Sequence, residues 1–328
     1  MKKPWDKYIA PTEEQPEQPE LQEPSADVLV LPAPEDRSLT ALPLVRNWLF
    51  APDRSRLKWR RIEQTITHEG RPLRQSITIG LPGTKKGFGI LTARHQRAIF
   101  VLQRLWQQQG GRVAERDGRR VGLVRATSWE LEEALFSAHG GRQKKLARAL
   151  IHELNSIPVH FEGLPLPDGT IAELAVSGLV NGYIFGGQRD IAGQQLGLPW
   201  AEIELHPWVI AAWEAQDVKP IDLRVLDQLS CDLARLLYPK LDWLLSRHER
   251  AEFRLLGLCD RLGLADKQLG QRAHRRRKFE RVAKELSGAP LTAGGRLRVS
   301  IQAVNQGDDD KLVGRRVGKK KPSGPRLV

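Results

Sequence analysis

An α+β chain with two similarly ordered halves is predicted by three observations. Between residues 40 and 304, apolar residues recur at helical spacing in some segments and alternate along others. One series of elements is legible twice: a helix, a short helix, a tight turn, a longer helix and a β-hairpin. Positive charge gathers near the end of the second series. There the stretch at 267–286, KQLGQRAHRRRKFERVAKEL, holds eight Lys/Arg against two Glu. Phe279, Val282, Ala283 and Leu286 still keep helical spacing within it. A solvated surface helix mixes the two signs; this one invites a polyanion.

Taken in order, Leu57–Gly80 reads as two short strands around a Glu69-Gly70 turn. Thr92 caps a helix running through Gln109, with Ile99, Leu102, Leu105 and Trp106 on one face. A strand follows at about 121–126, and Thr127 with Glu130 forms a capping box that opens a short helix. His139-Gly140-Gly141 is a tight turn, and a helix from Arg142 to about Asn155 ends before Pro158. The alternating stretches VHFEG and TIAELAVSGLV flank Pro167-Asp168-Gly169 as a hairpin. In the second half, Glu202–Leu205 is a strand and His206 to Gln216 a short helix. Ile221–Arg247 is helical, with a break or kink expected near Tyr238 because Pro239 removes a backbone donor. Phe253–Leu262 is a short helix closed by Gly263. The basic helix follows, and then LTAGGRLRVSIQAV reads as a hairpin turning at Gly294-Gly295.

This order is that of a winged helix–turn–helix. The predicted fold is therefore two tandem winged helix–turn–helix domains, at 37–205 and 206–304. Residues 1–36 carry three Lys against nine Asp/Glu and are rich in Pro and Gln, so they read as a disordered acidic arm. Residues 305–328 read as a flexible basic tail with seven Lys/Arg and three Asp.

Formal net charge is +13 over 328 residues, and removing the arm leaves +19 on the rest. A body this basic points to nucleic acid or an anionic surface. No apolar run approaches the length of a membrane-spanning helix, and the N-terminus lacks the apolar stretch of a signal peptide. Cys231 and Cys259, each on an apolar helical pattern, read as buried thiols of a reducing cytosol.

A recognition helix docks one apolar face and turns a polar or basic face to the groove. In the first candidate, Leu146, Ala149, Leu150 and Leu154 form the apolar side; Lys144, Lys145, Arg148 and His152 form the other. In the second, His274, Arg277, Arg281 and Lys284 lie opposite Phe279, Val282 and Leu286. Arg272 and Arg275 fall nearer the apolar side, placed to reach phosphates from the helix start, and Arg276 and Lys278 complete the candidate DNA-binding set. Residues 206–304 hold 18 Lys/Arg and 12 Asp/Glu, and the excess of six equals that of 267–286 alone. Arg296 and Arg298 alternate along a wing strand, which suits phosphate contact.

Chemistry for catalysis is missing. The eight histidines include no His-x-His pair, and Tyr238, one of three tyrosines, sits in a core pattern, which argues against a DNA-nicking enzyme. The stretch Gly80–Gly89 imitates a phosphate loop but lacks its Gly-Lys-Ser/Thr ending. No zinc or redox spacing of cysteines is present, so neither catalytic nor metal-binding residues are expected, and no cofactor.

Several blocks resemble plasmid replication initiators of the "replication initiator protein A" type, over roughly residues 40–300. In the first half these are LPLVRNWLFAPDRSR, LTARHQRAIFVLQRLWQQ and VRATSWELEEALFSAHGGRQKKLARALIHELNSIPVHFE. In the second they are LARLLYPKLDWLLSR, FRLLGLCDRLGL and the basic helix. Where the family carries a Tyr-aromatic or Tyr-basic pair before Leu-Asp, this chain inserts Pro239. The resemblance implies a cytoplasmic, non-enzymatic protein that binds repeated double-stranded DNA sites at a plasmid origin. It also implies help in opening the duplex, recruitment of the host replication initiator and helicase, copy-number control, homodimers beside monomers, and repression of its own promoter. Two other functions fit the same residues: a winged-helix transcriptional regulator, and a scaffold whose basic surface binds acidic proteins.

Overall fold

The computed structural model describes residues 37–53, 57–68, 71–81, 89–165, 171–189, 195–264, 271–304 and 309–318. The expected acidic arm, the turns at Glu69-Gly70 and Pro167-Asp168-Gly169, and most of the Gly80–Gly89 stretch lie outside them.

The first half begins with β1 (Arg37–Ala41) and α1 (Leu42–Arg46). The hairpin β2 (Trp59–His68) and β3 (Arg71–Gly80) follows, and then α2 (Ala93–Gln108). Next come β4 (Val113–Arg116), β5 (Arg119–Thr127), α3 (Ser128–Phe136) and α4 (Gly141–Ser156). Two hairpins close this half: β6 (Val159–Pro165) with β7 (Ile171–Val176), and β8 (Val180–Arg189) with β9 (Gln195–Leu205). The second half runs α5 (Pro207–Glu214), β10 (Val218–Asp222), α6 (Leu223–Gln228) and α7 (Asp232–Arg247). It continues with β11 (Arg250–Arg254), α8 (Leu255–Arg261), α9 (Arg272–Leu286), β12 (Arg296–Ala303) and β13 (Asp310–Val317).

The described strands form antiparallel sheets ordered β2-β3-β6-β7, β4-β5-β9-β8, β11-β13-β12 and β1-β10. The last joins the halves: Arg37 sits opposite Asp222 and Ala41 opposite Val218. One apolar cluster runs through both halves, from Leu42 and Trp48 through Phe100 and Ile203 to Leu237 and Phe279.

Local signals set several boundaries. Thr127 accepts from the Glu130 N–H at 3.1 Å, and the Glu130 carboxylate accepts from the Thr127 N–H at 2.7 Å, the reciprocal pair expected from the sequence. At α2 the residue answering Thr92 is His95 rather than a carboxylate; its Nδ1 accepts from the Thr92 N–H at 2.9 Å.

Several expectations need correction. Asp310–Val317, read as flexible tail, is the central strand of a sheet, with Leu312 and Val313 buried. The chain does turn at Gly294-Gly295, where Pro290 bridges Arg296 antiparallel and the Leu291 N–H donates to the Gly295 carbonyl at 3.1 Å, but the long hairpin partner of β12 is β13. At Gly295 φ is +81°, and an added Cβ would lie 2.7 Å from the Val317 carbonyl oxygen, so this position needs glycine. Ile221 and Asp222 belong to β10 and Phe253 to β11, strands made by pairing with distant partners rather than helix. The chain breaks at 229–231, between α6 and α7, while α7 passes unbroken through Pro239. The strand β8 and the first part of β9 extend a sheet where the sequence suggested only Glu202–Leu205. Cys231 is half-buried and Cys259 buried, and both are free thiols.

A buried ion pair welds α7 to β10. Asp242 on α7, with no exposed side-chain area, lies 3.0 Å from Lys219 Nζ on β10. Its carboxylate also accepts from the Thr292 N–H at 2.8 Å and from the Thr292 hydroxyl at 2.6 Å, just ahead of β12. Two residues earlier on α7, Lys240 is buried between Trp48 and Trp243, with Nζ 4.8 and 5.0 Å from the ring centroids. It donates to the Arg46 carbonyl oxygen. Burial, reinforced by the Arg261 and Arg46 charges, pushes its pKa down to about 7. Burial also lowers that of Arg60 to about 9; its guanidinium donates to the Arg261 and Trp48 carbonyls at 2.9 and 2.6 Å.

Asp242→Ala strands the Lys219 ammonium in the interior and should cost about 3–5 kcal/mol, read from denaturant unfolding. Lys240 releases its proton in the folded chain at a pH where the unfolded chain still holds it. Stability should therefore rise from about pH 7 toward pH 9, and Lys240→Met should flatten that rise in thermal midpoints.

Candidate nucleic-acid interface

The second basic helix is placed by its own apolar stripe. Phe279, Val282, Ala283 and Leu286 are buried. At its C-terminal end the Ser287 hydroxyl donates to the Val299 carbonyl at 3.1 Å and accepts from the Val299 N–H at 3.0 Å, locking α9 to the edge of β12. Glu285 on the same helix accepts from the Cys231 N–H at 2.9 Å and so satisfies the start of α7.

The cations of α9 divide into two groups. Arg272 pairs with Asp310 at 2.7 Å, and Arg275, only 4% exposed, pairs with Asp309 at 3.5 Å. Arg276 reaches Glu280 at 2.9 Å and Asp310 at 4.0 Å. These three tie the helix start to the beginning of β13. Arg275, which falls nearer the apolar side in the sequence, is buried, and Arg272 and Arg276, though part-exposed, place their guanidinium groups on carboxylates. Arg277, Arg281 and Lys284 are exposed on the side away from Phe279 and Val282, with no ion-pair partner among the described residues. His274 and Lys278 flank this face and are half-buried.

On α4 the buried residues are Ala147, Leu150, Ile151 and Leu154. Leu146 is 43% exposed and Ala149 is exposed, so the docked stripe is rotated from the one expected. Lys145, Arg148 and His152 still face outward, with Lys144 half-buried at the edge. Two of them lean on β8, a neighbour hidden from the sequence reading. The Arg148 guanidinium stands 5.3 Å from the Phe185 ring centroid, and His152 Nδ1 lies 2.7 Å from the Tyr183 hydroxyl.

The turn and helix are held from behind. Glu132 on α3 accepts from the Gly140 N–H at 3.0 Å. Glu153 on α4 meets His95 Nε2 at 2.8 Å and Arg94 at 2.6 Å, both on α2. Because His95 Nδ1 accepts from Thr92, its Nε2 carries the proton and donates. Burial raises the Glu153 pKa, but the His95 hydrogen bond and the Arg94 charge outweigh it and hold the group below its ordinary value. His95 and Glu153 were missed by sequence reasoning; the three-residue spacing of His95 from Thr92 was the available signal.

Arg296 and Arg298 are exposed on β12 but do not share a face with α9. Arg272 and Arg276 contact Asp310, which projects on the Leu312 side of the sheet. Leu297 and Val299 project to that inner side as well, so Arg296 and Arg298 point to the other.

Fold and site thus define a mixed α/β protein with several antiparallel sheets and an exposed cationic helix face. No protein-family model matches the chain, and no curated protein does. Two crystal structures of domains 2 and 3 of RctB, one a selenomethionine derivative, are similar at a TM-score of 0.47 each. They align at 13% and 14% identity over 84% and 82% of this chain and 96% and 95% of their own. Among the described residues no helix is long and apolar enough to cross a membrane, and no cluster of His, Cys, Asp or Glu could hold a metal ion.

Asp310→Asn should loosen the first turn of α9 while leaving its apolar docking in place. Amide hydrogen exchange at 272–276 should accelerate, with little change at 279–286.

Proposed function

We propose that this chain is a replication initiator that binds repeated duplex sites at a plasmid origin through two winged helix–turn–helix modules. The observation that carries the reading is the alignment of Arg277, Arg281 and Lys284 on one exposed helix face, without ionic partners among the described residues. Three unneutralised charges on a helix whose other side is docked repel one another unless a polyanion meets them. In α4 the same position in the order of elements carries Lys145, Arg148 and His152, which supplies a second, weaker grip. Phosphate contacts by these residues position the protein, and arginine is also the side chain best suited to read guanine in the major groove.

The step from duplex binding to an origin rests on the ordered sequence blocks that resemble the replication initiator protein A family. On this reading the protein binds DNA, helps to open it, and hands it to host replication proteins without catalysing a reaction.

The test uses direct repeats beside the gene as a labelled duplex. Affinity should fall steeply with salt. Arg277→Ala with Arg281→Ala should weaken binding by roughly 1–3 kcal/mol per lost base contact, or reduce the logarithmic salt slope by about one per lost phosphate contact. A plasmid that still replicates after disruption of this gene would sink the origin assignment. Promoter repression without any effect on replication would favour a transcriptional regulator.

A further inference from the structure

The three-stranded sheet has a second face that α9 does not use. Its inner face carries Ala251, Gly314 and Val299 in one register row, packed toward α7; a Cβ on Gly314 would lie 2.8 Å from Leu241. One residue along each strand, the side chains point the opposite way. Arg250 stands opposite Arg315 on β13, and Arg315 opposite Arg298 on β12, so three arginines line up across the three strands. Further along the same face, Arg254 stands opposite Lys311 and Lys311 opposite Gln302; at the other end Arg296 faces Val317.

Among the described residues of these three strands, six cations thus share one sheet face with a single carboxylate, Glu252. That carboxylate is held between Arg250 and Lys311, the latter at 3.0 Å. The hydrogen bond from Lys311 is the largest influence keeping its pKa below the ordinary value. Arg298 and Arg315 are exposed and form no ion pair among the described residues; Glu252 feels the Arg315 charge only at longer range. Like charges directly opposite on neighbouring strands destabilise a sheet. Any polar residue would have served for solubility alone.

We propose that this outer sheet face is a second nucleic-acid surface, one that grips the DNA sugar–phosphate backbone through Arg250, Arg298 and Arg315 without reading sequence. Five of the six cations are arginine, whose planar fork matches phosphate oxygens two at a time. No aromatic side chain projects from these rows, so bases have nothing to stack on, which favours backbone contact over capture of unpaired bases. The face also lacks the aromatic anchor around which a protein interface is organised. Because it looks away from α9, it engages DNA beyond the stretch that α9 contacts.

This inference rests on the DNA-binding function proposed above, and the experiment separates the two. The full chain, its Arg298→Gln/Arg315→Gln variant and its Arg277→Ala/Arg281→Ala variant are titrated with two probes over a salt series. One probe is the repeat-bearing duplex; the other is a random-sequence duplex several helical turns long. The sheet variant should lose about 2 from the salt slope on both probes, at roughly 0.9 per phosphate, with the ratio of the two affinities unchanged. Its thermal midpoint should equal or exceed that of the unaltered chain, because like charges have been removed. Arg250→Gln with Arg315→Gln should act in the same way from another pair of strands. If both sheet variants keep full slope and affinity while the α9 variant loses them, the second surface is wrong and the DNA-binding function stands. If no form of the chain shifts either duplex at low salt, the function fails and this surface fails with it.

Discussion

The buried triad of Lys219, Asp242 and Thr292 is the constraint on which the basic half depends. Asp242 is fully buried with Lys219 as its counter-charge, and Lys219 is brought to it by β10, the strand paired with β1. Thr292 then fixes the segment between α9 and β12 to the same carboxylate. The orientation of α9, and hence of its exposed cations, is inherited from an ion pair that none of those cations touches. Tyr238 adds to the same anchorage: fully buried, its hydroxyl donates to the Pro290 carbonyl at 2.8 Å.

Arginine is put to two uses in this chain, and its position relative to carboxylates separates them. Arg272, Arg275 and Arg276 direct their charge to Asp310, Asp309 and Glu280. Arg60 goes further, sitting buried and donating to two carbonyls across the junction of the halves. Arg277 and Arg281 have no such engagement among the described residues. A count of basic residues in one helix therefore overstates its grip on a polyanion, since part of the charge holds the fold together.

Elements written in local chemistry were legible in the sequence. Thr127 and Glu130 announce α3, and the stripe of Phe279, Val282 and Leu286 announces α9 and its exposed face. Elements whose pattern is completed by distant partners were not. The inner face of β13 reads Asp310, Leu312, Gly314, Arg316, which is a poor apolar stripe. It is a core face because Arg272 pairs with Asp310, Leu241 fills the space at Gly314, and Arg316 reaches the Leu245 carbonyl at 2.9 Å. Pro239 suggested a break, but its neighbours Tyr238, Lys240 and Asp242 are each held by tertiary contacts, and these override one lost backbone bond. The rotated stripe of α4 has the same origin, because β8 and α2 decide which side of that helix is covered.

The pairing of β1 with β10 has a kinetic meaning. Its partners lie far apart along the chain, so the strands meet only after a long loop has closed, and that closure is costly in entropy before any contact offsets it. On a ribosome β1 emerges long before β10 and must wait with its edge unpaired. The two halves are thus unequal in time: the first is synthesised early but is finished only by the second.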